Sequence, residues 1–383
     1  MQLPPAGDAL RADMTSQADQ YMLRAIQLAK RGLGRTTPNP PVGALLVRNG
    51  RIVGEGFHPA AGQPHAEVFA LRNAGAMARD ADLYVTLEPC CHQGRTGPCT
   101  EAVIHAGVAR VFVGTQDPNP QVAGKGIQCL REAGIEVVCD LLKTECQRLI
   151  APFTKHMTGG LPFVVLKAAM TLDGQTAAAN GDSRWISSAA SREIVHQLRS
   201  QVDGIMVGSG TVKTDNPRLT ARLDEDHRDP VRIVFDGKLE TSPQAVVYTQ
   251  SSEAKTILVT ASEHGETALQ PYRSSGVEIL QVARKDGALD LAAALVELGK
   301  RPLHYLLLEG GSVLAGAMMR AELVDRVMIF VAPKLLGGGG HSLFAGKGVV
   351  SISEAFSLTN LCVRQVDTDI LIEGEVQHVH RSD

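Results

Sequence analysis

The stretch EPCCHQGRTGPC, residues 88–99, places three cysteines and a histidine within twelve residues. Such a cluster can be a metal site, a disulfide loop, a redox pair or a chance grouping. The chain carries seven cysteines, an odd number, and its start, MQLPPAGDALRADMTS, has neither a basic n-region nor an apolar h-region. A secretory signal and a disulfide framework are therefore not expected, and metal binding or plain burial is favoured in a reducing, cytoplasmic setting.

Upstream lies PHAEVFALRNAG, residues 64–75. On a helix, positions i and i+2 lie about 200° apart, so His65 and Glu67 cannot share a face. That geometry suits different roles: His65 as a ligand at the helix start, Glu67 reaching toward something bound to the metal. An H-x-E followed by Pro-Cys and a second Cys is the signature of zinc deaminases, whose glutamate moves protons and does not bind metal. Here HAE is followed by Pro89-Cys90 and, after eight intervening residues, by Cys99. One His and two Cys leave zinc an open fourth position, as a catalytic site requires. Each motif alone is weak, because H-x-E is common and the eight-residue gap is not ordinary zinc spacing. In this order they point to hydrolytic attack on a ring carbon bearing an exocyclic amine, with Glu67 as acid and base. Cys99 stands where the helix TEAVIHAG begins, and a helix N-terminus favours a thiolate.

The elements that must position these residues are legible by periodicity. A helix is expected over residues 18–31, then a buried strand ALLV, an Asn49-Gly50 hairpin and the strand RIVGEG. A helix from about 66 to 78 precedes the strand DLYVTL and the cysteine cluster. The strands RVFVGT and EVVC follow, each after a helix. The alternation predicts α/β layers with a largely parallel sheet. A helical stretch ending in TGGLP, near 146–162, reads as a hinge. Beyond it come the strands PFVVLKAAM, GIMVGS, VRIVFD, AVVYT, TILVT, VEILQV and HYLLLEGG, and helices at 188–200, 289–299 and 313–321. The charged run ARLDEDHRDP, within 220–230, reads as a solvated loop. The expected domains are a loose extension over 1–16, one domain over 17–158 and another over 159–383, with no internal duplication.

Composition narrows the partners. At 383 residues, with 44% hydrophobic and 21% charged residues, the chain reads as a two-domain globular protein. A net charge of −3 and 4% aromatics give neither a polyanion footprint nor stacking platforms, so nucleic acid is not an expected partner. No apolar run is long enough to cross a membrane.

TTPNPPVG, GEGFH, PHAE and EPCCHQGRTGPC together resemble the deaminase half of the bifunctional pyrimidine deaminase/reductases of riboflavin biosynthesis. LKAAMTLDGQTA, GDSRWISS, TDNPRLT, LLLEGGSVLAGA and VAPKLLGG match the other half, so the resemblance spans about residues 17–370. It implies a cytidine-deaminase-like three-layer domain followed by a dihydrofolate-reductase-like domain. By that match His65, Cys90 and Cys99 are zinc ligands and Glu67 the catalytic acid/base. Asn39, His58 and His92 fall at positions lining the pyrimidine pocket, and Arg95 where a basic side chain meets the substrate. Asn39, between two prolines, reads equally as a turn residue, and Cys91 as a spectator. The implied substrate is 2,5-diamino-6-ribosylamino-4(3H)-pyrimidinone 5′-phosphate.

In the second half, Gly310, Gly311 and Ser312 stand between a strand and a helix, where exposed N–H groups make an anion site. GGSVLAG is not G-x-G-x-x-G, and a packed glycine turn is the alternative. The resemblance implies NADPH-dependent reduction of the ribosyl group to ribityl. It puts Ala169, Trp185, Thr211, Asp215, Gly237 and the run Gly311, Ser312, Val313, Leu314, Ala315, Gly316 and Ala317 at NADP-contacting positions. Ser183, Arg199, Leu219, Arg222 and Glu309 fall at substrate-contacting positions. Arg199 and Arg222 suit a ribose phosphate, since guanidinium binds phosphate oxygens in pairs. Lys167, also expected at the substrate, and Asp215 are candidate proton donors. A homo-oligomer is expected.

Overall fold

The computed structural model describes residues 16–91, 97–120, 122–224 and 226–377. The chain divides into two compact units, Met1–Gly159 and Gly160–Asp383.

In the first unit, Ser16 caps the helix Gln17–Lys30 through a capping box with Asp19, so this residue belongs to the folded unit and not to the expected extension. Residues 1–15 lie outside the described residues. The five-stranded sheet runs Arg51–Phe57, Gly43–Arg48, Asp82–Leu87, Arg110–Thr115, Glu136–Val138 from edge to edge. The last three strands are parallel, but Gly43–Arg48 is antiparallel to both its neighbours. The largely parallel sheet expected here is therefore a mixed one. The cause is local: Asn49 and Gly50 take positive φ (51° and 73°) and fold the first two strands into a hairpin. The helix Ala66–Ala74 then crosses over Gly43–Arg48 to the parallel strand Asp82–Leu87.

Helices cover both faces of this sheet. Met22, Ala25, Ile26 and Leu28 of Gln17–Lys30 pack with Leu45, Val47 and Tyr84 on one side. Ala66, Ala70 and Ala74 pack with Ala44, Leu46, Leu83 and Val85 on the other. The helix Ala66–Ala74 sits against bare backbone at Gly54 and Gly56. A Cβ on Gly56 would lie 2.3 Å from the Ala66 carbonyl oxygen, and one on Gly54 2.3 Å from that of Ala70.

The second unit holds a nine-stranded sheet in the order Glu278–Val282, Thr256–Ala261, Val231–Phe235, Gly204–Gly208, Tyr305–Glu309, Phe163–Thr171, Arg326–Ala332, Asp369–Gln377, Ser357–Val366. The first seven are parallel and the last two close one edge as an antiparallel hairpin. The strands after residue 321 and the helices Ser209–Asp215 and Glu266–Ser274 go beyond the elements read from periodicity. AVVYT, expected as a strand, contains the short helix Val246–Thr249. Side-chain partners hold that turn: Val246 N–H donates to Asn216 Oδ1, and the Tyr248 hydroxyl pairs with Thr241. Local β-propensity loses to these tertiary contacts. The segment 220–230 contains no helix or strand among the described residues, but it is not wholly solvated. Ala221 is buried, its N–H donates to Asp229, and Arg228 pairs with the buried Asp203.

Candidate active sites

His65 occupies the N-cap position of Ala66–Ala74, and Cys99 is the first residue of Cys99–Ala106. The two helix starts meet Cys90, which follows the strand Asp82–Leu87. One donor atom from each of His65, Cys90 and Cys99 lies within 4.8 Å of the other two. His65 Nδ1 is 3.2 Å from Cys99 Sγ and 3.5 Å from Cys90 Sγ. Tetrahedral zinc, with bonds of about 2.0–2.3 Å, separates such donors by about 3.5 Å, so the trio fits zinc. Among the described residues this is the one His/Cys/Asp/Glu group of metal-binding spacing, and Cys91 is not in it.

Two thiols this close compete for one proton. The hydrogen bond from Cys99 drives the Cys90 thiol down to about 4, helped by His65, while burial opposes it. The same contact, with burial, pushes Cys99 up. The Cys99 N–H also points at Cys90 Sγ, 3.4 Å away. The hydrogen bond with Cys90 raises His65. Glu67 is buried, its Oε2 has no hydrogen-bond partner, and burial followed by the charge of Cys90 pushes it up to about 7.

Asn39 and His58 join this site. The Pro64 carbonyl accepts from His58 Nδ1 (3.0 Å), which leaves Nε2 to accept from Asn39 Nδ2 (3.1 Å). Burial lowers His58 below its ordinary value, in keeping with a neutral ring. The His58 and His65 rings meet edge to face, 5.3 Å apart. His92 and Arg95 lie outside the described residues.

In the second unit, Lys167 and Glu309 stand opposite each other on neighbouring parallel strands, Lys167 Nζ 3.6 Å from Glu309 Oε1. Arg199, from the helix Ala189–Gln201, grips Glu309 Oε2 with Nε (2.9 Å) and Nη2 (2.8 Å). Its Nη1 donates to the Thr220 carbonyl (3.0 Å), next to Leu219, a buried residue at φ 58°. Burial disfavours the Glu309 charge, but Arg199 and Lys167 outweigh it and hold the carboxyl below its ordinary range. Burial lowers Lys167 and, together with Arg199, Arg222. His196, one turn before Arg199, was missed in the sequence. Burial and the neighbouring Arg199 and Arg222 lower it to about 4. Its place three residues before Arg199 on one helical face is the signal that could have revealed it.

The cofactor candidates are more scattered. Gly310 and Gly311 have φ of 86° and 77°, and a Cβ on either would stand 3.1–3.2 Å from Thr211 Oγ1. The helix Ser312–Arg320 makes its first bond from Ala315 N–H to the Gly311 carbonyl, so the N–H groups of Ser312, Val313 and Leu314 have no intrahelical acceptor. This turn fits an anionic group. Leu314, Ala315 and Gly316 are buried while Val313 is 71% exposed, so the expected contact run is presented only through its first turn. Ala317 and Ala169 are half-buried. Trp185 is 64% exposed under the Arg192 guanidinium, 4.5 Å from its ring. Asp215 pairs with Arg184 at 3.8 Å, and the Gly237 carbonyl accepts from His264 and Arg284. Ser183 is half-buried in the loop before Trp185.

A deaminase-type zinc cluster in one unit and an ion-paired site on a parallel sheet in the other define a two-domain deaminase/reductase. Residues 15–115 match the cytidine and deoxycytidylate deaminase zinc-binding region, and residues 162–372 match the RibD C-terminal domain. The chain is 42% identical to riboflavin biosynthesis protein RibD of Escherichia coli, over 93% of this chain and 98% of that protein. It is 40% identical to RibD of Aquifex aeolicus, over 92% and 96%. Among solved structures, a diaminohydroxyphosphoribosylaminopyrimidine deaminase/5-amino-6-(5-phosphoribosylamino)uracil reductase from Thermotoga maritima superposes with a TM-score of 0.82 at 40% identity, covering 94% of this chain and 99% of that one. RibD of Acinetobacter baumannii does so with a TM-score of 0.82 at 37% identity, with the same coverage. The chain belongs to the RibD family, the bifunctional deaminase/reductases of riboflavin biosynthesis.

Proposed function

We propose that the first unit deaminates 2,5-diamino-6-ribosylamino-4(3H)-pyrimidinone 5′-phosphate and the second reduces the product's ribosyl group to ribityl with NADPH. The observation that carries the first step is Glu67: a buried carboxyl, one oxygen unpartnered, beside three zinc-type donors. His65, Cys90 and Cys99 would hold zinc, which would supply a Lewis acid to activate a water. Glu67 takes a proton from the attacking water, delivers it to the ring nitrogen, and helps protonate the departing ammonia. His58, locked by Pro64, fixes the Asn39 amide so that its Oδ1 is left to accept from a pyrimidine N–H. On the family resemblance alone, His92 and Arg95 are further substrate contacts.

NADPH supplies the hydride, and the protein orients and polarises. The first-turn amides at Ser312, Val313 and Leu314, next to Gly310, Gly311 and Thr211, would hold a cofactor phosphate. Ala169, Trp185, Asp215 and Gly237 would contact the cofactor elsewhere. Arg199 and Arg222 bind the substrate phosphate, with Ser183 and the Leu219 turn beside them. Lys167, held by Glu309, gives the proton that accompanies the hydride. Asp215 is the weaker candidate, being engaged with Arg184.

Incubation of the protein with the diaminopyrimidine phosphate tests both steps, with products identified by mass. The expected product is the ribosylaminouracil phosphate without NADPH and its ribityl form with it. Glu67→Gln should retain zinc and release no ammonia; zinc retained with normal turnover would remove Glu67 from the mechanism.

The assembly is a homo-oligomer joined through the edge strand Ser357–Val366, whose Leu358, Leu361 and Val363 are exposed. The compartment is the reducing cytoplasm, which suits seven free cysteines and two thiolate ligands. No described helix is long and apolar enough to cross a membrane.

A further inference from the structure

Glu88 stands two residues before Cys90 and is buried. Its carboxylate accepts four backbone N–H groups. Oε1 takes those of Gly126 (2.9 Å) and Ile127 (3.1 Å), and Oε2 those of Gly124 (2.9 Å) and Asp117 (3.2 Å). Two of these donors belong to the first turn of the helix Lys125–Glu132. The helix start lies directly on the next residue, for a Cβ on Gly126 would stand 2.0 Å from the Pro89 carbonyl oxygen. Glu88 N–H is itself tied to the Thr115 carbonyl at 2.9 Å. On the far side of the turn, the Cys90 carbonyl accepts from Thr100 N–H at 3.2 Å, and Cys90 Sγ from Cys99 N–H. The Pro89–Cys90 turn is therefore clamped between two helix N-termini, and proline lends it a fixed φ.

We propose that Glu88 is a positioning residue for the metal site, holding the Cys90 thiolate where His65 and Cys99 can share a cation with it. Four acceptor contacts from one carboxylate tie the backbone at 117, 124, 126 and 127, and with it the start of Lys125–Glu132, to a residue two positions before the ligand Cys90. The inference rests on the reading of His65, Cys90 and Cys99 as the zinc site.

The test is zinc affinity of the full-length protein, measured by competition with a chromophoric chelator. Glu88→Gln is nearly isosteric but puts an NH2 group against one pair of N–H donors. Loss of an outer support of this kind weakens metal binding by about 10–100-fold, and a drop in that range is expected. Reduction of the authentic ribosylaminouracil substrate should stay at the wild-type rate, and excess zinc should restore deamination. Asp117→Ala removes the Oδ1 that accepts Asn119 N–H but keeps the backbone N–H that reaches Glu88, and should leave zinc affinity unchanged. Wild-type affinity in Glu88→Gln, or an equal loss in Asp117→Ala, overturns the proposal. If Glu88→Gln fails to fold its first unit, Glu88→Asp carries the same test, its shorter reach again weakening zinc. Wild-type protein that binds no zinc would overturn the site reading itself, a result distinct from any of these.

Discussion

Gly56→Ala is the sharpest test of how the deaminase site is placed. Gly56 faces the helix whose start carries His65 and Glu67, and a new Cβ would lie 2.3 Å from Ala66 O, 2.5 Å from Ala70 N and 2.7 Å from Phe69 Cβ. Two of those atoms are backbone, so no side chain can swing aside. To reach ordinary contact the helix must retreat by about 1 Å at Ala66, because a close-packed interior has no slack to absorb the methyl. Ala66 lies between the proposed ligand and the proposed acid/base. A misplacement of about 1 Å costs about 100-fold in rate, or about 2.7 kcal/mol of barrier. Overpacking of this kind also costs about 1–3 kcal/mol of stability. Ammonia release by Gly56→Ala should fall about 100-fold, with zinc either lost or retained in a slow enzyme. Reduction of the authentic ribosylaminouracil substrate, in the separate second unit, should be unchanged. Ammonia release at the wild-type rate would refute the claim that glycine is needed for this close approach.

Stripping zinc with excess chelator should abolish ammonia release and leave NADPH oxidation on the deaminated substrate intact; parallel loss of both would contradict independent sites. Arg199→Lys keeps the charge but loses the paired grip on Glu309, and reductase kcat/KM should drop about tenfold or more with deamination unchanged. Folding should couple to His196: the unfolded imidazole takes up a proton near 6.5, the folded one only near 4. Between these values protons favour the unfolded chain, so stability of the second unit falls as pH drops from 6.5 toward 4. Urea melts at pH 7 and pH 5 should show a smaller difference in His196→Asn than in wild type.

The order H-x-E, Pro-Cys, Cys and the Asn49-Gly50 turn were legible in the chain because each expresses local chemistry: donor type, helix start, positive φ. They sufficed to single out His65, Cys90 and Cys99, whose donor atoms the fold brings within 4.8 Å of one another, and the hairpin that opens the first sheet. AVVYT misled because β-branched residues report a preference for burial, and the side chains of Asn216 and Thr241 decided the backbone there. Composition carries no sign that Glu88 would gather amides from residues 29 to 39 positions away. Nor does it show that His196 would sit beside two arginines, or that Arg199 would meet Glu309 across 110 residues. Those contacts exist only where strands and helices pack. Gly56 shows the division most plainly: in sequence it is one glycine of the strand RIVGEG, and only the helix lying on it makes its missing side chain part of the zinc site.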